Sequence, residues 1–179
     1  MATVRFAKSF IAVIIAAGSL CTSGWRAEAD AFLQTNLVSD IPGLATLTDP
    51  NLRNPWGVSH NATSPFWVSD QGANVSTLYA VTGGTTVAIN PLVVSIPQTA
   101  AGPQGPTGQV ANTNMSAFSM TASGVTAPAR FIFANLNGTI SAWNGTGTAA
   151  ITQATTAGAV YTGLAINQAG TQADPRIEA

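Results

Sequence analysis

The sequence predicts an all-β fold built from a repeated unit, and three observations lead to that prediction. An apolar strand, a turn and a second strand occur at residues 66–79 (FWVSDQGANVSTLY) and again at residues 131–143 (FIFANLNGTISAW). Glycines that open similar segments recur at Gly57, Gly108 and Gly163, a spacing of roughly 50 residues. After Ala29, no segment of helical length has apolar residues at the helical period.

The two hairpins align without a gap. The alignment places Asp70 on Asn135, Val75 on Ile140, Ser76 on Ser141 and Leu78 on Trp143. A supersecondary unit that repeats about every 50 residues is typical of a β-propeller, in which each blade is a four-stranded sheet. We therefore expect β-propeller blades, about two and a fraction of them. The alternative is a β-sandwich or jelly roll whose two hairpins are alike by accident.

Residues 1–29 have the pattern of a signal peptide. Arg5 and Lys8 precede the apolar run FIAVIIAA at residues 10–17, which is too short to cross a bilayer as a helix. Small residues suitable for cleavage follow, and we expect cleavage near Ala29. The alternatives are an uncleaved membrane anchor and a lipid anchor at Cys21, although Leu20 before that cysteine is bulkier than lipidation favours. The sequence thus predicts a secreted or periplasmic protein with no transmembrane segment after cleavage.

Charge excludes some functions. Only 7% of the residues are charged, against about 25% in a typical soluble domain, while 46% are hydrophobic and the mean hydropathy is +0.26. Residues 30–179 carry three arginines, no lysine and six acids, a net charge of −3. Nucleic-acid binding needs clustered basic residues, so we expect no nucleic-acid partner. Residues 30–179 also lack cysteine, which excludes disulfides and thiolate metal sites there.

The first repeat unit is expected to open near residue 55. Before it, residues 32–38 predict a strand and residues 45–55, with Asp49-Pro50 and Asn54-Pro55, predict a loop. The unit's strands are expected at residues 56–59, 66–69, 75–81 and either 85–89 or 92–96. Gly57 would allow a neighbouring backbone to approach closely. In the turn after the second strand, Asp70 is expected to bond its own backbone and Gly72 to take a positive φ.

The second unit is expected to open near residue 106, after a loop rich in proline and glycine at residues 97–108. Its hairpin is predicted at residues 130–134 and 139–143, followed by a fourth strand at 149–153. Residues 112–127 are ambiguous. A third unit is expected to open near residue 160, so the sequence predicts a partial propeller domain over residues 30–179.

The combined motifs resemble a known family. The segments DPNLRNPWGVS, PFWVSDQGANVSTLY, ARFIFANLNGTISAWN and GAVYTGLAI are similar to those of an uncharacterised family of secreted bacterial proteins with NHL-like propeller repeats, over most of residues 34–167. The resemblance implies an exported propeller and brings no known catalytic set. Such proteins continue for several more blades. We therefore expect this chain to be an N-terminal fragment or truncated copy, with open sheet edges through which copies self-associate.

Candidate site residues are few. Asp70 and Asn135 hold the same place in the two hairpins, and oxygens presented once per blade, together with Asn54 and Asp49, could bind Ca²⁺. The alternative is that Asp70 and Asn135 stabilise turns. His60, the one histidine, has no accompanying Ser-His-Asp pattern, so we expect a loop residue rather than a base.

Tryptophans and asparagines complete the candidates. Trp56, Trp67 and Trp143 could stack on sugars, but their strand positions favour core packing. Three of the five Asn-x-Ser/Thr sequences fit inside or beside predicted turns, so asparagine turn chemistry explains them without glycans. The sequence favours a non-catalytic binding or scaffold propeller that needs no cofactor. The alternative is a metal-dependent hydrolase of the lactonase-like propeller type, which is an analogy of fold only.

Overall fold

Short strands make up the fold. The computed structural model describes residues 33–100, 102–168 and 177–179, so the predicted signal peptide lies outside the described residues. The strands are β1 (Val38–Ser39), β2 (Leu47–Thr48), β3 (Pro55–Ser59), β4 (Phe66–Asp70), β5 (Val75–Thr82), β6 (Thr86–Ile89), β7 (Val94–Ser95), β8 (Pro106–Ala111), β9 (Ser119–Ala122), β10 (Val125–Pro128), β11 (Phe131–Asn135), β12 (Thr139–Trp143), β13 (Ile151–Thr155), β14 (Ala165–Ile166) and β15 (Ile177–Glu178). A 3₁₀ turn, Gln71–Ala73, joins β4 to β5. The prediction of an all-β fold is confirmed.

The first sheet is an antiparallel meander with strand order β3-β4-β5-β6. Strand β7 pairs with the start of β5, so both of the alternative fourth strands of the sequence analysis form, separated at Asn90-Pro91. Pro91 lacks the N–H that a continuous strand would use for its ladder, which accounts for the interruption.

The second sheet repeats the first. Its strand order is β8-β11-β12-β13, again with antiparallel neighbours, and β8 begins at Pro106 as β3 begins at Pro55. The ambiguous segment between β8 and β11 contains a hairpin of its own, β9 paired with β10. The first sheet has only the short loop of residues 60–65 at that place.

Shorter segments flank the two sheets. Strands β1 and β2 pair in parallel, and β14 pairs with β15. The expected strand at residues 32–38 is wrong over residues 33–37, which form no strand. Residues 160–164 likewise form no strand, so the described residues contain no third four-stranded sheet where a third unit was expected to open.

The register corrects the gap-free alignment of the hairpins. In the first sheet Asp70 pairs with Val75 around four turn residues, whereas in the second Ala134 pairs with Ile140 and Asn135 with the start of β12, around three. The return strands are therefore offset by one residue. Thr77, not Ser76, is equivalent to Ser141, because these residues pair with Val68 and Phe133. By the same offset Tyr79 is equivalent to Trp143.

With that correction, equivalent residues share equivalent faces. Residues that pair across strands, and alternate residues along a strand, point to the same side of a sheet. The first face of the first sheet carries Val68, Asp70, Thr77 and Tyr79. The first face of the second sheet carries the equivalent residues Phe133, Asn135, Ser141 and Trp143. The second face carries Trp67 and Leu78, or Ile132 and Ala142.

Three apolar clusters separate the layers. The first face of the first sheet packs on residues of the N-terminal segment: Leu37, Val38, Leu47 and Leu52. Its second face packs on the first face of the second sheet, where the rings of Trp67 and Phe131 stack with centroids 4.0 Å apart. The second face of the second sheet packs on Met120, Tyr161, Leu164 and Ile166. Burying each large side chain stabilises the fold by about 1.5–3 kcal/mol.

Three glycines lie where β3, β8 and the segment before β14 come together. A side chain at Gly57 would overlap the backbone of Thr107 and Gln109, and one at Gly108 would overlap the backbone of Gly163 and Leu164. The expectation that Gly57 permits a close backbone approach is confirmed. Gly57 and Gly108 therefore have a packing reason, since backbones this close leave no room for a Cβ atom.

Candidate functional site

Asp70, the leading metal-ligand candidate, is fully buried at the end of β4. Its Oδ2 accepts hydrogen bonds from the Thr77 N–H at 3.1 Å and the Thr77 hydroxyl at 2.7 Å. Its Oδ1 has no partner among the described residues. Burial raises the pKa of Asp70 from 3.8 to about 7, against the opposing effect of the two Thr77 bonds; the nearby Asp49 charge raises it a little further. Half of this carboxylate is thus committed to its own hairpin.

Asn135 makes the neutral counterpart of that contact. Its amide Nδ2 donates to the Thr139 carbonyl at 3.1 Å, to the Thr139 hydroxyl at 2.9 Å and to the Ser141 hydroxyl at 3.2 Å. The side chain is fully buried, and its Oδ1 has no partner among the described residues. Asp70 and Asn135 therefore both bridge the two strands of a hairpin, with one oxygen left over.

The turn itself is built differently from the expectation. The Asp70 side chain does not bond the backbone of the 3₁₀ turn, and Asn74 rather than Gly72 takes the positive φ, at 55°. A Cβ at Gly72 would press on Arg53, which explains a glycine there. The prediction of backbone self-capping by Asp70 is therefore wrong, because its carboxylate turns inward to Thr77.

The side chains of Asn54 and Asp49, the other two metal-ligand candidates, make hydrogen bonds away from Asp70 and Asn135. Asn54 Nδ2 donates to Gln71 Oε1 at 2.6 Å. Asp49 Oδ1 accepts from the Asn51 N–H, and its Oδ2 accepts from the Tyr79 hydroxyl at 2.9 Å. Burial, together with the Asp49 carboxylate, raises the pKa of Tyr79, so this hydroxyl stays protonated as the donor.

The geometry does not gather the metal candidates at one point. Asp70 faces the N-terminal segment whereas Asn135 faces the first sheet, so the two side chains point into different layers. No group of three or more His, Cys, Asp or Glu residues suited to a metal occurs among residues 33–100, 102–168 and 177–179. The Ca²⁺ site of Asp70, Asn135 and Asn54 stays a prediction. Because the two side chains lie in different layers, a bound ion would use the uncommitted Oδ1 atom of one of them and not of both.

The aromatic and histidine candidates divide between core and surface. Trp67 and Trp143 are 2% and 8% exposed, which confirms the core role expected of them. The core role expected of Trp56 is wrong, because its side chain is 46% exposed on β3. His60 is an exposed loop residue, as expected, and its ring centroid lies 4.8 Å from that of Phe66.

Asparagine side chains build many of the turns. The Oδ1 atoms of Asn61, Asn114, Asn137 and Asn144 each accept a hydrogen bond from the N–H two residues on. Such local bonds are the reason why asparagine favours turns. Turn chemistry therefore explains these four Asn-x-Ser/Thr sequences.

A groove of about 340 Å³ opens between the two sheets, beside the loop of residues 60–65. We call it the inter-sheet groove. Its apolar wall consists of Pro65, Trp67, Leu78, Leu92, Met115, Phe131 and Trp143. Its polar wall consists of Asn61, Thr63, Ser64, Asn90, Asn112 and Arg130. The sequence analysis missed this site, because its walls come from distant segments of the chain that only the stacking of the sheets brings together.

The amide and guanidinium groups of the inter-sheet groove that have no partner in the described part of the chain are donors. Asn61 Oδ1 already accepts from Thr63, and Asn90 Oδ1 accepts from the Leu92 N–H at 2.9 Å. Their amide nitrogens have no partner among the described residues, nor does the Arg130 guanidinium. No acid of the described segments lines the groove. It therefore presents positive charge in a chain whose residues 30–179 are acidic overall.

Asn112 closes the groove without offering it a free group. Its Nδ2 donates to the carbonyls of Asn114 and Ala129, and its Oδ1 accepts from the Asn114 N–H. The Arg130 backbone is held just as firmly, since its N–H donates to the Trp143 carbonyl at 2.7 Å and its carbonyl accepts from the Asn112 N–H. The arginine side chain thus projects from a rigid support.

A second depression, of about 320 Å³, lies beside β3, β8 and the segment before β14. Its lining includes Trp56, Val58, Thr107, Gln109 and Leu164 together with the three contact glycines. Gln109 ties the two sheets there, because its amide donates to the carbonyls of Gly57 and Trp67. The depression has fewer polar side chains than the inter-sheet groove.

No protein-family model, no curated protein and no solved structure matches this chain. Within the part of the chain that the structure describes, no helix has the length and hydropathy needed to cross a membrane.

Proposed function

We propose that this chain belongs to an exported β-propeller binding or scaffold protein, and that its two largest sheets are consecutive blades. One observation carries the proposal: two meanders of the same strand order stack with equivalent faces in the same sense, and their innermost strands touch at Gly57. Blades around a channel have this relation. The signal-like segment 1–29 and the resemblance to secreted NHL-like proteins support export.

Binding is favoured over catalysis by the lining of the inter-sheet groove. The groove is lined by apolar side chains and a few convergent polar groups, as ligand sites usually are. No carboxylate, imidazole or thiol of the described residues lines it, so the lining offers none of the usual general acids or bases. Arg130 and the amides of Asn61 and Asn90 are suited to hold a ligand.

A small-molecule screen by NMR tests this function. Compounds that enter the inter-sheet groove are expected to shift the indole N–H signals of Trp67 and Trp143 and to leave that of Trp56 unchanged. In the control variant Leu92→Trp, the larger side chain fills the groove and is expected to abolish the shifts. A screen of neutral, acidic and basic compounds without any such shift would contradict the proposal.

The metal-dependent hydrolase is the competing hypothesis. The uncommitted Oδ1 atom of buried Asp70 favours it, because a carboxylate oxygen without a partner could bind a metal ion. Calorimetry with Ca²⁺ distinguishes the two: binding that Asp70→Ala abolishes and Arg130→Gln leaves intact would support the hydrolase. Without such binding the groove remains the candidate site.

A further inference from the structure

We propose that the inter-sheet groove binds a small organic carboxylate with an apolar body, such as an aryl or alkyl carboxylate, through Arg130. The inference deepens the proposed binding function and depends on it. Three features support the proposal: the positive charge of Arg130, the unpartnered amide N–H donors of the groove, and its apolar wall.

Arg130 supplies the charge recognition. Its guanidinium presents N–H donors in a planar fork that matches a carboxylate with two parallel hydrogen bonds. The side chain is exposed at the groove, and no acid among the described lining residues neutralises it. An anionic ligand is therefore attracted, whereas a cationic one is repelled.

The amides favour a ligand that only accepts hydrogen bonds over a neutral polyol. Asn61 and Asn90 offer N–H groups, while the side-chain oxygens of Asn61, Asn90 and Asn112 already accept hydrogen bonds within the protein. A sugar hydroxyl must donate as well as accept, and the groove's side chains leave it few acceptors. A carboxylate only accepts, so all its hydrogen bonds can be made.

The apolar wall selects the rest of the ligand. Met115 is 54% exposed, and half-buried Leu92 and Pro65 line the same groove as the nearly buried ring of Trp143. Covering such a surface removes apolar area from water, at roughly 25 cal/mol per Å². An inorganic anion would not cover this apolar wall and would leave it exposed to water. The groove therefore favours an organic acid.

Titration of the full chain with phenylacetate, phenylacetamide, inorganic phosphate and glucose tests the proposal. Phenylacetate is expected to shift the Trp67 and Trp143 indole signals and to bind at least about tenfold more tightly than phenylacetamide, its neutral isostere. Arg130→Gln is expected to remove that tenfold preference, while Arg53→Gln, which changes an arginine outside the groove, leaves it unchanged. Raising the salt concentration should weaken binding of the acid and not of the amide.

Several outcomes would overturn the proposal. These are equal binding of phenylacetate and phenylacetamide, an unchanged preference in Arg130→Gln, or phosphate that binds as tightly as phenylacetate. Groove shifts caused by glucose alone would overturn the carboxylate class and leave the proposed binding function standing. Thermal melts of both arginine variants check the fold, and Arg130→Lys, which keeps the charge and loses the fork, provides a second variant with an intermediate preference.

Discussion

The two hairpins make the same bridge with different chemistry. In the first sheet a carboxylate, Asp70, bridges to Thr77 across a four-residue turn; in the second an amide, Asn135, bridges to Ser141 across a three-residue turn. Both side chains are fully buried. The comparison teaches that the position requires a hydrogen-bonding side chain of this size but does not require a charge.

Replacement of Asp70 by Asn should have the largest effect. Between pH 4 and 7 the folded chain keeps the Asp70 proton that the unfolded chain has lost, so the free energy of unfolding falls as pH rises through this window and levels off above it. The shift from 3.8 to about 7 corresponds to up to about 4 kcal/mol at pH 8. Asp70→Asn should remove this pH dependence, as measured by urea unfolding at pH 5 and pH 8.

The reciprocal variant is its control. Asn135→Asp places a buried carboxyl group in the second sheet, so it should add a pH dependence of the same sign. Equal slopes of stability against pH in Asp70→Asn and the parent chain would contradict the burial of a raised-pKa carboxyl group in the first hairpin.

Removal of the bridging hydroxyl group should have the second-largest effect on stability, and its cost should differ between the two hairpins. At pH 8 Thr77→Val removes a bond to an ionised group and should cost about 1.5–3 kcal/mol, whereas Ser141→Ala removes a neutral bond and should cost about 0.5–1.5 kcal/mol. Urea unfolding of the two variants measures the difference. At pH 5, where Asp70 is protonated, the two costs should converge; a gap that persists there would refute charge as its cause.

The contact glycines should divide into two classes. Gly57→Ala and Gly108→Ala force a Cβ into a neighbouring backbone, so each should cost about 1–3 kcal/mol. Gly163 has nothing within 4 Å of its Cβ position, so Gly163→Ala should be neutral or stabilising by up to about 1 kcal/mol. Thermal unfolding measures all three. Equal losses of stability at the three positions would contradict the close backbone contacts at Gly57 and Gly108.

The smallest effect on stability is expected at the outer strands. Every residue of β13 is exposed, whereas Ser95 at the end of the first sheet bonds to Thr148 and Ala150. If copies associate through β13, Gln153→Lys should reduce association in sedimentation analysis and change stability by less than about 0.5 kcal/mol. Ala88→Lys on β6 is the matched control and should leave association unchanged. The reverse pattern would place the contact at the first sheet.

The comparison of hairpins also shows how far sequence reasoning reached. Strand existence was predictable, because apolar and β-branched residues concentrate between turn residues. Strands begin at Pro55 and Pro106, where two of the three units were expected to open. The gap-free alignment was wrong by one residue on β5 and β12, because the amino-acid sequence alone does not show how many residues each turn contains. The β9–β10 hairpin was missed because its strands are only four residues long and consist mostly of small residues, without a run of large apolar ones.

The sequence by itself determined the all-β character, the repeat, the glycine period and the asparagine turns, because each of these depends on neighbours within a few residues or on a pattern that recurs. Only the tertiary structure decided that Asp70 points inward to Thr77, that Trp67 and Trp143 pack in one core and that Arg130 shares a groove with Asn61 and Asn90. These contacts join segments far apart in the chain, and the register and stacking of the two sheets set which side chains meet.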